Sequence, residues 1–380
     1  MEEQLLPRFY QDLETWLKPG KVLLIYGPRQ VGKTTLVKQY LKTTPWRYRF
    51  DSGDDLSIQE IFSSRRLKVL RQYVGSHQLI VIDEAQKIPF VGESLKILVD
   101  QMPQLRIIAT GSSSFELAGQ VGEPLTGRKQ TLILYPLALL ELKEIFPSPW
   151  DLEQQLDQLL IFGSYPEVVR TQDPQKKRLI LQELVNSYLL KDILTLEKIK
   201  ASQKLVRLLQ LLAFQIGSTV SLTELGQQLE LDRKTVARYL DLLEKSFIIF
   251  SLWGYHRNLR KAISKKNKYY FFDLGVRNAL INNFNPLELR PDLGQLWENF
   301  VIIERRKKQA YWQIYSNNYF WRTWDGQEVD WVEERDGQLF GFEIKWSEKK
   351  KAKEPKDWSK TYPKTSWQLI TPENFLDFVA

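Results

Sequence analysis

In the first third of the chain, short strand-like runs alternate with stretches whose apolar positions recur every three to four residues. Residues 21–26, 47–51, 78–83, 105–113 and 130–135 read as strands, most of them apolar without polar alternation. Residues 5–17 read as a helix, a second helix starts near Lys33, and 54–74 is mostly helical. Continuous apolar strands separated by helices predict a parallel sheet covered on both faces, so the fold class is α/β.

The pattern then becomes helical. Residues 137–144 and 151–160 are helices interrupted by Pro147-Ser148-Pro149, and 178–200 is a long amphipathic stretch that joins the two halves. Helices over 204–215, 221–231 and 232–245 precede strands at 247–253 and 268–272. Ser221 and Glu224 form a capping-box signature at the second of these helices. Three helices and a hairpin describe a winged helix-turn-helix. The last hundred residues read as a helix at 294–304, strands at 319–324, 328–332 and 339–346, a short helix at 355–360 and a strand at 367–371.

The chemistry concentrates where the first strand ends. Gly27-Pro28-Arg29-Gln30-Val31-Gly32-Lys33-Thr34-Thr35 fits the phosphate-binding loop Gly-x-x-x-x-Gly-Lys-Ser/Thr. Its two glycines let the backbone N–H groups turn inward, and the following helix presents its positive end. Lys33 is placed for the β- and γ-phosphates and Thr34 for Mg²⁺. About fifty residues on, an apolar strand ends in Asp83-Glu84. Asp83 is placed to hold the Mg²⁺, and Glu84 to act as general base on an attacking water. Thr110 or Ser112, at the polar tip of the fourth strand, is placed to orient that water. Arg128, just ahead of the fifth strand, is either a surface residue or a group that reaches the γ-phosphate of a neighbouring subunit.

Together with Ala109-Thr-Gly-Ser-Ser113 and Thr126-Gly-Arg128, these motifs resemble those of the AAA-type ATPases of bacteria and archaea. More narrowly, the chain is similar to the group whose C-terminal half is a domain of unknown function. The resemblance spans essentially the whole chain. It implies ATP and Mg²⁺ as ligands, a helical lid around the Gly-x-Tyr-Pro turn at 163–166, and no particular substrate.

The C-terminal element order resembles the core of the PD-(D/E)xK nuclease fold. In Glu343-Ile344-Lys345 the period of two puts both charged side chains on one face of the strand. With Asp330 on the preceding strand, Asp330 and Glu343 form a possible second Mg²⁺ site. Lys345 would steady the water or phosphate, and Glu298 on the first helix would complete the cluster. Two readings stand: a cleaving site, or a nuclease-derived domain that binds and cuts nothing.

Composition adds exclusions. Among 380 residues there is no cysteine and only two histidines, which removes disulfides, thiolate metal sites and His-based metal clusters. No apolar run approaches membrane-spanning length and Met1-Glu2-Glu3 is acidic, so no membrane association or secretory signal is expected, and the cytoplasm is the expected compartment. A net charge of +8 permits nucleic acid without requiring it. Arg233, Lys234 and Arg238 on the third helix, and six basic residues without an acid over 257–268, form a possible phosphate-contacting surface. The alternative is an interdomain module with a solvated basic loop.

The expected organisation is an ATPase core at 1–145, a lid and connector at 146–201, a winged helix at 202–275 and a nuclease-like domain at 276–380. The expected function is Mg²⁺-dependent ATP hydrolysis coupled to DNA or RNA engagement or processing, with a homo-oligomer formed through Arg128. The alternative is a nucleotide-operated switch that binds a protein partner and carries an inactive nuclease-derived domain.

Overall fold

The computed structural model describes residues 6–111, 125–146, 148–189, 202–256, 267–347, 353–363 and 365–380. The chain divides into two compact units, Met1–Tyr135 with Lys245–Phe247, and Pro136–Glu244 with Ile248–Ala380.

The first unit is built on a five-stranded sheet in the order β2-β3-β4-β1-β5. Its strands are β1 (Val22–Tyr26), β2 (Tyr48–Ser52), β3 (Leu79–Asp83), β4 (Arg106–Gly111) and β5 (Lys129–Ile133). All pairings are parallel, so all five carboxyl ends lie along one edge. β1 and β3 are buried throughout, as inner strands covered on both faces must be. The connecting helices are α1 (Lys33–Leu41), α2 (Leu56–Ser63), α3 (Leu67–Val74) and α4 (Val91–Gln101). The helical stretch expected over 54–74 is two helices, separated where Arg65 takes a φ of +53°.

The helix expected over 5–17 is not formed in the described residues, where the segment is irregular and ends in one 3-10 turn, Glu14–Trp16. Tertiary contacts override the helical spacing. Arg8 is buried with its guanidinium on the carbonyls of Val31 (2.8 Å) and Tyr135 (2.7 Å), and Tyr10, Leu13 and Leu17 are each buried.

The second unit begins with four short helices, α5 (Leu139–Leu142), α6 (Pro149–Phe162), α7 (Pro166–Arg170) and α8 (Pro174–Glu183). The long helix expected over 178–200 is α8 followed by a π-helical turn, Leu184–Leu189; its remainder lies outside the described residues. Three helices follow, α9 (Ser202–Phe214), α10 (Leu222–Leu229) and α11 (Arg233–Lys245). Ser221 caps α10 by accepting the Glu224 N–H. Asp232 caps α11, accepting the N–H groups of Lys234 (2.9 Å) and Thr235 (3.0 Å).

A seven-stranded sheet in the order β12-β11-β10-β9-β7-β8-β6 runs through the rest. β7 (Ile249–Gly254) and β8 (Asn267–Phe271) form a hairpin, and β6 (Thr219–Val220) pairs on β8. On its other side β7 pairs in parallel with β9 (Asn317–Arg322), Trp253 opposite Tyr319 and Gly254 opposite Phe320. β10 (Glu328–Arg335), β11 (Gln338–Ile344) and β12 (Ser366–Ile370) complete it, with β12 parallel to β11. Strands before and after the expected boundary at 275/276 therefore share one sheet. The accompanying helices are α12 (Leu274–Leu280), α13 (Leu293–Tyr311), α14 (Lys356–Thr361) and α15 (Phe375–Val379).

Tyr319, Trp321, Val329, Val332, Trp358 and Tyr362 form one core cluster, with the Trp321 and Trp358 rings edge to face at 5.4 Å. Trp297 and Trp331 are also fully buried, whereas Trp312 and Trp324 are exposed. Among the described residues no helix is long and apolar enough to cross a membrane.

Gly275 marks where α12 meets the end of α6. A Cβ there would stand 2.0 Å from the Phe162 carbonyl oxygen and 2.9 Å from the Leu181 side chain. We expect Gly275→Ala to destabilise the second unit by about 2 kcal/mol, read as a lower urea midpoint. Gly294→Ala on α13, where a Cβ would meet nothing within 4 Å, should leave the midpoint unchanged or slightly raised.

Candidate nucleotide site and a second polar cluster

The turn after β1 needs its glycines. Gly27 has φ +153°, and a Cβ on it would lie 2.0 Å from the Leu134 carbonyl oxygen. Gly32, at φ +92°, is the N-cap residue of α1. Between them run Pro28, Arg29, Gln30 and Val31, with Gln30 in the left-handed region at φ +59°. Lys33 is buried, and its Nζ donates to the carbonyls of Gly27 (3.0 Å) and Pro28 (2.7 Å). The loop is also pinned from outside the motif by Arg8 on the Val31 carbonyl. Sequence reasoning missed Arg8, because nothing in local spacing links it to a partner 23 residues away.

The acidic end of β3 meets this loop. Thr34 Oγ1 donates to Asp83 Oδ2 at 2.8 Å and lies 3.1 Å from Oδ1. Thr110, fully buried on β4, donates its hydroxyl to Asp83 and accepts the Glu84 N–H at 3.2 Å. Its hydroxyl thereby ties the Asp83 carboxylate to the Glu84 backbone. Glu84 turns off the strand at φ +51°, ψ +39°, a conformation that costs about 1–2 kcal/mol outside glycine. Gln86 Nε2 donates to Glu84 Oε2 at 2.5 Å, a second contact that the sequence reading did not assign. Thr35 is exposed, and Ser112 lies outside the described residues.

Thr34 and Asp83 are hard oxygen donors already in contact across two elements, so the pair fits Mg²⁺. Arg128 stands elsewhere. It precedes Lys129, which pairs with Val22 at the amino end of the sheet, roughly 15 Å of strand from the carboxyl edge. Its Nε donates to Asp100 on α4 at 2.6 Å. Arg128 therefore does not serve the loop of its own chain.

Residues 19–143 match the AAA domain, 153–287 a domain of unknown function (DUF8612), and 293–374 a domain of unknown function (DUF4143). Uncharacterized proteins of Mycobacterium tuberculosis and Mycobacterium bovis are each 30% identical over 333 residues, covering 87% of this chain and 71% of theirs. The chain belongs to their family, AAA-domain proteins with a C-terminal DUF4143 domain. An uncharacterized protein of Haemophilus influenzae is 23% identical over 320 residues, covering 78% of this chain and 77% of its own. ATP binding and hydrolysis are the general activities of an AAA domain, and the Gly27–Lys33 loop and the Asp83-Glu84 pair fall inside it.

The second cluster of this AAA-domain protein lies mainly in the DUF4143 domain. Asp330 on β10 accepts the Ile344 N–H at 2.9 Å and lies 3.3 Å from Lys345 Nζ. Lys345 is 2.6 Å from Glu343, so these three residues converge. Glu298 on α13 joins them through Lys268 on β8, whose Nζ is 3.1 Å from Glu298, 2.6 Å from Glu328 and 3.9 Å from Asp330. The Tyr270 hydroxyl also donates to Glu298, at 2.6 Å. Sequence reading placed Lys268 with the basic loop at 257–268; it is instead buried among acids, and 257–266 lie outside the described residues. Among the described residues no group of three or more His, Asp or Glu side chains is arranged to hold a metal ion. A lysine stands between the carboxylates, so as arranged Glu298, Asp330 and Glu343 do not fit the expected metal set.

Burial, and secondarily the Asp330 charge, push the Glu343 carboxyl up to about 7. Burial likewise pushes Glu298 up to about 7 against the pull of Lys268. A carboxyl with a higher pKa when folded binds more protons in the folded state between its ordinary value and about 7. Its contribution to stability is therefore complete at low pH and is lost as pH rises through about 7. We expect the urea-unfolding free energy of the second unit to fall less steeply between pH 5 and about 7 in Glu343→Gln than in the wild type.

Proposed function

We propose that this protein is a Mg²⁺-dependent ATPase whose nucleotide state operates its second unit. The chain of bonds from Thr34 through Asp83 and Thr110 to Glu84 carries this reading. The loop N–H groups between Gly27 and Thr35 and the amino end of α1 would bind phosphate, and Lys33 would leave its own loop carbonyls for phosphate oxygens. Thr34 and Asp83 would hold Mg²⁺, which when bound offsets phosphate charge. Glu84 takes the proton of the attacking water, while Gln86 and Thr110 fix its carboxylate and backbone. Arg128 acts on the site of a second copy of this chain after parting from Asp100, and the lack of cysteine supports a reducing cytoplasm as the setting.

For the second unit we propose nucleic acid as ligand, supported by the exposed Arg233, Lys234 and Arg238 on α11 and by the convergence of Asp330, Glu343 and Lys345. A second reading, a switch that binds a protein partner, draws support from Lys268, which neutralises the acids beside that trio.

Lys33→Ala should abolish ATP hydrolysis in a phosphate-release assay; turnover at the wild-type rate would refute the ATPase assignment. Glu84→Gln should keep ATP binding and lose on the order of 10²–10⁴-fold in kcat. Gln86→Ala should lower kcat on the order of tenfold with KM unchanged. In a low-salt gel-shift or anisotropy titration the full chain should bind DNA or RNA, more weakly as salt rises. An absence of affinity for either leaves the protein-partner reading in its place.

A further inference from the structure

The acidic cluster of the second unit carries its own cation. Lys268 Nζ contacts Glu328 at 2.6 Å and Glu298 at 3.1 Å and lies 3.9 Å from Asp330, with its side chain 3% exposed. Lys345 closes the other side, 2.6 Å from Glu343 and 3.3 Å from Asp330. Each of the four carboxylates thus has an ammonium as its neighbour. A metal-dependent cleavage site asks the same oxygens to converge on one divalent ion at about 2.0–2.1 Å for Mg²⁺. The Lys268 ammonium stands among Glu298, Glu328 and Asp330, with the Lys345 ammonium between Asp330 and Glu343, and each repels a second positive charge.

Lys268 is not free to swing aside. It starts from β8 between β7 and β6, and its ammonium lies 5.4 Å from the centre of the Phe320 ring. Burial works against its charge, but Glu298, Tyr270, Asp330 and Glu328 outweigh that and hold it well above the ordinary lysine range.

We propose that Lys268 is the resident cation of this cluster, standing where a nuclease-like site would take a divalent metal, so that the second unit engages its ligand without metal-dependent cleavage. The inference rests on the second unit being the ligand-engaging half. Its test uses neither ATP turnover nor nucleic-acid affinity, so the two readings fail separately.

The test is Mn²⁺ binding to the nucleotide-free full chain, followed by electron paramagnetic resonance. Wild type and Asp330→Asn should bind Mn²⁺ identically. Lys268→Met removes the ammonium and keeps the apolar stem. It should lower the melting temperature by roughly 10 °C and gain one Mn²⁺ site whose occupation restores much of that loss. A wild-type Mn²⁺ site that disappears in Asp330→Asn would overturn the proposal, and that comparison decides even where Lys268→Met does not fold. A folded Lys268→Met chain with no gain in Mn²⁺ affinity would overturn it as well. So would Mn²⁺-dependent cutting of DNA or RNA by the wild type that Asp330→Asn abolishes.

Discussion

One carboxylate ties the carboxyl edge of the first sheet together. Asp83 accepts from Thr34 at the start of α1 and from Thr110 on β4, and its own backbone carbonyl accepts the Gly53 N–H at 2.8 Å. Three segments far apart in sequence therefore end at one residue. Hydrogen bonds to a charged acceptor contribute about 1.5–3 kcal/mol each, which exceeds the one or two that Glu84 costs in the left-handed region. The strained turn is thus held by its neighbours, and it aims the Glu84 carboxylate away from the line of the strand. Gly53 belongs to the same arrangement, since a Cβ there would stand 2.5 Å from the Glu84 carbonyl oxygen.

The second unit carries several buried, paired charges beside its aromatic core. Arg305 grips Glu333 through two bonds of 2.6 and 2.9 Å, and Trp331 Nε1 donates to the same carboxylate. Glu304 and Lys307 on α13 pair at 2.6 Å, while Glu304 also accepts the Leu139 N–H and Lys307 donates to the Leu137 carbonyl. Arg277 is divided between the Ala213 carbonyl and Asp292. A buried ion pair adds little over an apolar pair of equal size, yet losing one partner costs 3–5 kcal/mol or about that. Lys268 with Glu298, Glu328 and Asp330 is a further buried group of this kind.

The residues that meet at the candidate nucleotide site stand out in sequence because phosphate chemistry fixes residue types at fixed spacing. Gly27, Gly32, Lys33 and Thr34 fall within eight consecutive positions, and the Asp83-Glu84 pair ends an apolar run that forms a buried strand. Period-two alternation likewise put Glu343 and Lys345 on one face, and both reach toward Asp330. What stayed hidden was long range. Arg8 finds a carbonyl 127 residues on, and Lys268 finds Glu298 across 30 residues and an intervening helix. Neither position differs locally from a surface cation. The parallel pairing of β7 with β9 was equally invisible, since a strand's own pattern does not say which edge it joins.

That pairing has a mechanical consequence. With β7 bonded to β9 on one flank and to β8 on the other, the hairpin that follows α11 is tied into the larger sheet and is not a separate ribbon. A pull on α11 through its short link to β7 would load the backbone bonds of a single plate reaching as far as β12. Within this unit, load passing from the helices toward β12 must cross the two residue pairs that join β7 to β9, Trp253 with Tyr319 and Gly254 with Phe320.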